Sequence, residues 1–476
     1  MSRTPALSLT PEQEAEALLL AERMHAASKD DFLQLARLLV SKPEHEIFGQ
    51  TEFEVRDIVH HLGAAAMQTH LGQKKNGYRG CSVVCPHCGQ SAEFQDWRTR
   101  TPLSLVGAIT CCRAWYHCHR CGKGVYPWDE AVGLTAKRLT PAAEQAVSMA
   151  GAVCNSFAEA AERVLGTLAG LRICESTVQR TAEDAGARVG QWLAQGRTLG
   201  KAQRWDWRRD ADGQTCAYIS IDATGVRQQA AGGGKADGRM PYVAMVYNPV
   251  PELAADSPYQ PGPQAVMQAR YLAGLYGLDE LGLQLRRQAA QVGMDRAQRW
   301  IGLTDGGNGL EGFVDKNFPR DIIVILDFWH AADYLTELGK LLEPQDEAAR
   351  QERVQQWCHI MKHEGGSAII AELARLPLPA RKPAVAAKHA EVLRYFRNNE
   401  HRMDYPRYQA HGWLIGSGAV ESGCKTVVGQ RLKLAGMRWG EDGTDEMCHL
   451  RALFKSEANQ WEAFWRRQYN QPSSRN

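Results

Sequence analysis

The stretch IIVILDFWH, residues 322–330, runs from five apolar residues into an acid, and a histidine follows three positions later. A buried strand carries apolar side chains on both faces, whereas a carboxylate needs water, a cation or a metal ion. We therefore predict that Asp327 marks the end of a strand, at an edge of a sheet where ligands collect.

Two other stretches repeat this pattern of a short apolar run that ends in an acid. CAYISIDATGVR, residues 216–227, stops at Asp222, and RWIGLTDGGNGL, residues 299–310, stops at Asp305. The intervening segments predict a mixed sheet covered by helices, hence an α/β fold in which Asp222 and Asp305 converge. The predicted order is a strand to Asp222, a glycine turn at 232–234, a strand at 242–248, a helix from about 264 to 291, a strand to Asp305, a short helix to Phe318 and a strand to Asp327.

A third acid for this site lies far downstream, in GSGAVESGCKTVVGQRLKLAGMRW, residues 416–439. Ser417 is placed to cap a helix that carries Glu421 in its first turn. Three carboxylates on one face repel each other unless cations neutralise them, and hard oxygen ligands favour Mg²⁺ or Mn²⁺. Two such ions would suit phosphoryl transfer. Each acid alone is weak evidence, because acids also form turns and complement helix dipoles.

Two Cys-x-x-Cys pairs, each followed by glycine, predict a structural Zn²⁺ site. They are Cys85–Cys88 and Cys118–Cys121, and the matched spacing is typical of a zinc ribbon. The alternative is four unrelated buried cysteines. Other side chains that could substitute as ligands rank lower because they fall outside the paired spacing: Cys81, Cys111, Cys112, His87, His117 and His119.

Helical patterns flank the ribbon on both sides. Thr10-Pro11-Glu12-Gln13 predicts a helix start, and an amphipathic helical region continues to about Gly72. Downstream, Val164–Gly186 suggests a helix-turn-helix, although a plain helical hairpin fits equally well. In the first case the second helix would present four side chains to a DNA groove: Ser176, Thr177, Gln179 and Arg180.

The net charge of the chain does not indicate a polyanionic partner, since 56 basic residues nearly balance 54 acidic ones. Basic side chains outnumber acidic ones between Lys74 and Lys123, however, so a local patch could hold phosphates. No apolar run reaches the roughly 18 residues of a membrane helix, and the N-terminus lacks a signal-peptide layout. We expect a cytoplasmic protein without a membrane partner, in which cysteines serve as metal ligands or buried thiols.

The motifs together resemble a bacterial insertion-sequence transposase of the Kra type, which is similar to the Mutator-like branch of the DDE transposases. The resemblance rests on SIDATGVR, TDGGNGLEGFVDKNFP, ILDFWHAADYL and the segment 416–439, with CPHCG and CHRCG upstream. It implies an RNase H-like catalytic core and a triad of Asp222, Asp305 and Glu421. Asp327 and His330 then lie near the site, and Asp305 has the stronger claim to the second metal position.

The resemblance also implies an α-helical insertion before Glu421 and a homo-oligomer acting on double-stranded DNA at element ends and target. Basic residues that could contact phosphates follow Glu421, although a solvated helix face is nearly as good an interpretation: Arg431, Lys433 and Arg438. The expected activity is strand cleavage and strand transfer. The alternatives are an RNase H-type nuclease that does not join strands and a domesticated zinc-ribbon DNA-binding regulator.

These predictions divide the chain into six segments. We predict an N-terminal helical region at 1–75, a zinc ribbon at 76–130, a helical or helix-turn-helix-like DNA-binding region at 135–196, the first part of the core at 210–330, the helical insertion at 331–412, and core completion with the Glu421 helix and a C-terminal helix at 413–476.

Overall fold

The computed structural model describes residues 8–74, 76–134, 137–230, 232–249, 267–307, 309–379, 382–457 and 459–470. The chain forms two compact units, one comprising 1–181 with 464–476 and the other 182–463. This division is coarser than the six predicted segments, whose boundaries remain a prediction. No helix among the described residues has the length and hydropathy to cross a membrane.

The first unit begins with the predicted helical region. Thr10 Oγ1 accepts a hydrogen bond from the N–H of Gln13, and Gln13 Oε1 accepts one from the N–H of Thr10, so the predicted capping box is confirmed. The helices are α1 (Pro11–Ala27), α2 (Lys29–Ser41) and α3 (Gln50–Gly72).

An antiparallel four-stranded sheet follows, in the order β1-β2-β5-β6. Its small core consists of buried side chains that include two of the paired cysteines, Cys85 and Cys118, around Tyr116. The strands are β1 (Ser82–Val84), β2 (Ser91–Arg100), β3 (Leu103–Ser104), β4 (Gly107–Ala108), β5 (Cys111–His117) and β6 (Gly124–Val125), where β3 and β4 pair separately.

Helices return after the ribbon. The helix α6 continues as a π-helix over Ala160–Leu168 and is followed by a turn in which Gly170 has a φ of +67°. The next helix begins at Glu175, one residue before the predicted start. The elements are α4 (Pro127–Ala131), α5 (Pro141–Val153), α6 (Phe157–Glu159) and α7 (Glu175–Ala194), which continues into the second unit.

The second unit is built on a mixed sheet of five strands, in the order β11-β10-β7-β12-β13. The central strand β7 pairs antiparallel with β10 and parallel with β12, and β12 pairs parallel with β13. The predicted mixed α/β sheet is thus confirmed. Its strands are β7 (Cys216–Ala223), β10 (Tyr242–Asn248), β11 (Gln268–Gly274), β12 (Arg299–Thr304) and β13 (Ile323–Leu326), and the hairpin β8 (Val226–Gln229) and β9 (Lys235–Arg239) stands beside it.

The predicted helix from 264 to 291 was wrong in its first half. Residues 264–266 lie outside the described part of the chain, and Gln268–Gly274 form the edge strand β11. Arg270 interrupts the apolar run of this strand, yet its side chain is buried. Its guanidinium donates to Glu457 Oε1 at 2.6 Å and to Gln291 Oε1 at 2.6 Å. Distant partners therefore allow a charge inside a strand.

Helices cover this sheet and form the segment before Glu421. After β11 come α8 (Leu278–Gln291), α9 (Leu310–Asn317), α10 (Phe328–Leu342), α11 (Glu347–Glu364), α12 (Gly366–Arg375), α13 (Pro383–Asn399) and α14 (Tyr405–Ala410). The last elements of the described residues are α15 (Gly418–Gly423), a π-helix at Cys424–Gly429, α16 (Gln430–Leu432), α17 (Glu441–Lys455) and α18 (Gln460–Asn470).

Candidate functional site

Three neighbouring parallel strands each have an aspartate at or just beyond their carboxyl end, at the same edge of the sheet. Thr304 of β12 is in register with Ile221 of β7 and with Leu326 of β13, so the next residue on each strand is an acid. The N–H of Asp327 continues the ladder by donating to the carbonyl oxygen of Thr304 at 2.9 Å. Adjacent strands lie about 4.8 Å apart, and Asp222, Asp305 and Asp327 therefore follow one another across this edge.

The pKa of Asp222 responds to the charges of both other predicted triad acids. Burial is the largest cause that raises the pKa of its half-buried carboxyl, and the negative charges of Asp305 and Glu421 raise the pKa further. Hydrogen bonds from the N–H of Ala223, at 2.7 Å, and from Cys424 Sγ, at 3.5 Å, act in the opposite direction. The fold therefore brings together the charges of three acids that are distant in sequence.

Ser417 joins the Glu421 helix to the end of β13. Its Oγ contacts Asp327 Oδ2 and lies 3.1 Å from Glu421 Oε1. Ser417 was predicted to cap the helix, but its side chain makes no capping hydrogen bond. The hydroxyl serves the two carboxylates instead, and because it has one hydrogen it can donate to only one of them at a time.

Asp327 has the character of a supporting residue. Its side chain caps α10 by accepting from the N–H of Trp329 at 2.9 Å, and the residue is only 2% exposed, whereas Glu421 is exposed. A carboxylate that already accepts from a backbone N–H and a hydroxyl is suited to hold its neighbours in place. His330 is half-buried in the first turn of α10, where its ring packs edge-to-face against Tyr334.

We expect Ser417→Ala to lower the free energy of unfolding by about 1–3 kcal/mol, because the buried Asp327 carboxylate loses a hydrogen-bond donor. Urea denaturation at pH 7 would measure the change. Ser422→Ala, at an exposed position of the same helix, is the matched control and should stay within about 0.5 kcal/mol of the wild type. Equal effects in the two variants would contradict the bridging role of Ser417.

The helical segment before Glu421 contributes Arg402, which sequence reasoning missed. The residue is 3% exposed, and its guanidinium donates to Thr304 Oγ1 at 2.9 Å and to the carbonyl oxygen of Asp305 at 3.3 Å. Asn399 Oδ1 accepts from Arg402 Nε at 3.0 Å. Arg402 thus fixes the backbone that carries Asp305. Nothing in the local sequence EHRM indicates this role.

The predicted DNA-contacting residues upstream lie at the start of α7. Ser176, Gln179 and Arg180 are exposed and Thr177 is half-buried. Arg180 Nε donates to the carbonyl oxygen of Ser176 at 3.1 Å, one turn earlier. This exposed start of a helix after a turn is compatible with a helix-turn-helix and with a plain hairpin, so both interpretations stay open.

The three basic residues after Glu421 differ in their surroundings. Arg431 is 1% exposed and its guanidinium lies 4.9 Å from the ring centre of Trp439, so its burial does not favour phosphate binding. Lys433 is exposed, with Nζ 2.9 Å from Thr224 Oγ1, just beyond β7. Arg438 is half-buried. Lys433 and Arg438 remain the better candidates for phosphate contacts.

The four paired cysteines come together as a cluster that could hold one metal ion. The sulfur atoms of Cys85 and Cys121 are 3.6 Å apart, those of Cys88 and Cys118 are 3.5 Å apart, and all four lie within 4.8 Å of one another. A tetrahedral Zn²⁺ with bonds of about 2.3 Å requires sulfurs about 3.8 Å apart, so the donor set fits zinc. The N–H of Cys121 is the largest cause that lowers the pKa of Cys118 to about 7. The pKa of Cys88 moves the other way: a backbone hydrogen bond at Gln90 opposes the change, but burial and hydrogen bonds from the neighbouring thiols raise it to about 12.

The lower-ranked ligands lie outside this cluster. Cys81 and Cys112 are exposed, and Cys111 Sγ donates to the carbonyl oxygen of Arg100 at 3.4 Å. His119 Nε2 lies 3.6 Å from Glu93. The four thiols with the paired spacing are therefore the ones that the structure brings together.

A second group with metal-ligand geometry, Asp210, Asp212 and His411, has another explanation. Arg299 lies within 3.2 Å of Asp210 and 2.8 Å of Asp212, so a cation already balances both acids. Burial alone would raise the pKa of Asp210. Hydrogen bonds from Trp413 and Gln214, together with the charge of Arg299, outweigh burial and lower this pKa. We interpret this group as an ion-pair network.

Asp222, Asp305 and Glu421 are not among the groups of described residues whose donor atoms all lie within 4.8 Å of each other. Two Mg²⁺ ions about 3.5–4 Å apart, each with bonds of about 2.1 Å, span more than this distance. Three carboxylates are a donor set suited to hard cations such as Mg²⁺ or Mn²⁺, but the structure does not bring their oxygens close enough to share a single ion. Neither the protein-family models nor the curated protein sequences that were searched match this chain.

Proposed function

We propose that this chain is a DNA transposase of the DDE type, with an RNase H-like core as the resemblance to the Kra-type transposases implies. The observation that carries the proposal is that the register of β7 and β12 places Asp222 next to Asp305 at one edge of the mixed sheet, where Ser417 also links the carboxylates of Glu421 and Asp327. The central strand β7, antiparallel to β10 and parallel to β12, is compatible with such a core.

The roles of the residues follow from their surroundings. Asp222, Asp305 and Glu421 would hold Mg²⁺ or Mn²⁺, and these ions, when bound, supply an activated water and stabilise the leaving oxygen of a phosphodiester. Arg402 and Asp327 position the acids through the backbone of Asp305 and through Ser417. Lys433 would bind a phosphate of the DNA strand beside the site.

The ribbon and the start of α7 would supply further DNA binding. Arg98 lies 3.2 Å from the ring centre of Trp115 on the ribbon sheet, and its Nε also pairs with Asp96 at 3.3 Å, so this exposed surface carries a stacked and ion-paired guanidinium. We propose that Zn²⁺ holds the ribbon and that the protein acts on double-stranded element ends and target DNA as a homo-oligomer.

A strand-transfer assay tests the proposed function. Purified protein is incubated with Mg²⁺, a supercoiled target plasmid and a labelled duplex. The duplex carries the DNA that flanks the gene encoding this protein. We expect a cleaved 3′ end that becomes joined to the plasmid, and no product with Asp222→Asn. Cleavage without joined product would favour the nuclease alternative. Binding without cleavage would favour the regulator.

A further inference from the structure

A cavity of about 520 Å³ opens beside the loop that carries Asp305. One wall is formed by Gly306, Gly307 and Gly309 after β12 and by Glu311 and Gly312 in the first turn of α9. The other wall is formed by α13 and by Tyr334 of α10. A volume of this size is in the range of sites that hold a ligand as large as a nucleotide.

Two stacked tyrosines line the cavity. The rings of Tyr334 and Tyr395 are nearly parallel, at 14°, with centroids 3.9 Å apart. A Cβ at Gly306 would lie 2.2 Å from Cε2 of Tyr395, so only glycine lets the ring pack against the loop. Tyr395 therefore supports the ring of Tyr334 from the side of the loop.

Among the described residues, two acids that line the cavity are already paired with basic side chains, whereas two hydrogen-bond donors that line it are not. Glu311 is engaged by His401 at 2.5 Å, and Glu391 by Lys388 at 3.1 Å. Arg394 and Asn398 also line the cavity, and neither has a hydrogen-bond or ion-pair partner in the part of the chain that the structure describes. A free guanidinium and a free amide beside an aromatic wall match a phosphate and the edge of a nucleobase.

We propose that this cavity binds one unpaired nucleotide of the DNA strand on which the triad acts, with its base against the ring of Tyr334 and its phosphate at Arg394. The inference rests on the proposed function. It requires an unpaired base because a base inside a duplex has no free face for a side chain to stack on. Arg402 couples the two sites, since it lines the cavity and holds the carbonyl of Asp305.

A binding assay without divalent ions tests the subsite separately from cleavage. The probe is a ten-nucleotide single-stranded DNA with a central 2-aminopurine, and the readouts are anisotropy and 2-aminopurine fluorescence in EDTA. We expect the wild type to quench the fluorescence, Tyr334→Leu to weaken binding by about 10- to 100-fold, and Tyr334→Phe to retain both binding and quenching because it keeps the ring.

Arg394→Ala should weaken binding and reduce the slope of log affinity against log salt by about one phosphate contact. The matched control is Arg397→Ala, an exposed arginine of the same helix that does not line the cavity, which should leave the slope unchanged. Because both positions are exposed, neither variant should affect folding, and circular dichroism would verify this.

Wild-type affinity and quenching in both Tyr334→Leu and Arg394→Ala would overturn the proposal. Displacement of the probe by free deoxyadenosine monophosphate at equal affinity would also overturn it, since the occupant would then be a mononucleotide. Binding that depends on Tyr334 and Arg394 in a protein that never cleaves DNA would refute the nuclease chemistry and keep the subsite. Cleavage that is insensitive to both substitutions would support the nuclease chemistry and refute the subsite.

Discussion

Asp305→Asn is expected to abolish DNA strand cleavage, whereas Asp327→Asn is expected to leave a measurable remainder, reduced by about 10- to 100-fold. A neutral amide at position 305 cannot balance the charge of a bound cation. At position 327 the amide oxygen can still accept from the N–H of Trp329, and the amide nitrogen can donate to Ser417. Mg²⁺-dependent cleavage of a labelled duplex measures both variants.

The difference follows from where the two carboxylates lie. Asp305 contributes to the raised pKa of Asp222 and is half-buried, while Asp327 is 2% exposed and contacts Ser417 and its own helix. A metal ion needs a ligand oxygen with a free lone pair directed towards it. Asp327 has less of its carboxylate available for this purpose than Asp305.

Divalent-ion binding by calorimetry is the control that separates the two roles. Asp305→Asn should lose Mn²⁺ binding, and Asp327→Asn should retain it with weaker affinity. Complete loss of cleavage in both variants, with the fold intact and Mn²⁺ binding lost only in Asp327→Asn, would mean that Asp327 is the ligand and Asp305 the supporting residue.

Much of the sheet could be predicted from the sequence because its strands end in a strong local signal. Apolar runs that stop at Asp222, Asp305 and Asp327 mark buried parallel strands and their carboxyl ends. Parallel pairing of these strands then aligns their carboxyl ends, and the acids at those ends lie side by side. The paired cysteines were equally predictable, because two Cys-x-x-Cys turns with glycine carry their own geometry.

Residues whose role depends on distant partners could not be predicted. Arg270 occupies a buried strand only because Glu457 balances its charge and Gln291 accepts a hydrogen bond from it. Arg402 supports Asp305 from almost 100 residues downstream. The hydroxyl of Ser417 was assigned to a cap that it does not form. In each case the local pattern was ambiguous, and a tertiary contact decided the structure.

Cys118→Ser is expected to remove the metal ion and unfold the ribbon. The ribbon core contains six buried residues, two of which are the cluster cysteines Cys85 and Cys118. So small a core cannot stabilise a sheet unaided, and binding of structural Zn²⁺ supplies about 10–16 kcal/mol in comparable peptides. We expect one zinc ion per wild-type chain and almost none in the variant, measured by inductively coupled plasma mass spectrometry.

The matched control for this loss is Cys112→Ser, an exposed cysteine on β5 outside the cluster, which should keep its zinc. Limited proteolysis should cut the Cys118→Ser variant between residues 76 and 130 and leave the sheet of the second unit resistant. DNA affinity should fall together with its dependence on salt, because the basic side chains of an unfolded ribbon no longer meet phosphates as a group. A zinc-free wild type with a protease-resistant ribbon would contradict the metal site, since the core would then be stable through its thiols alone.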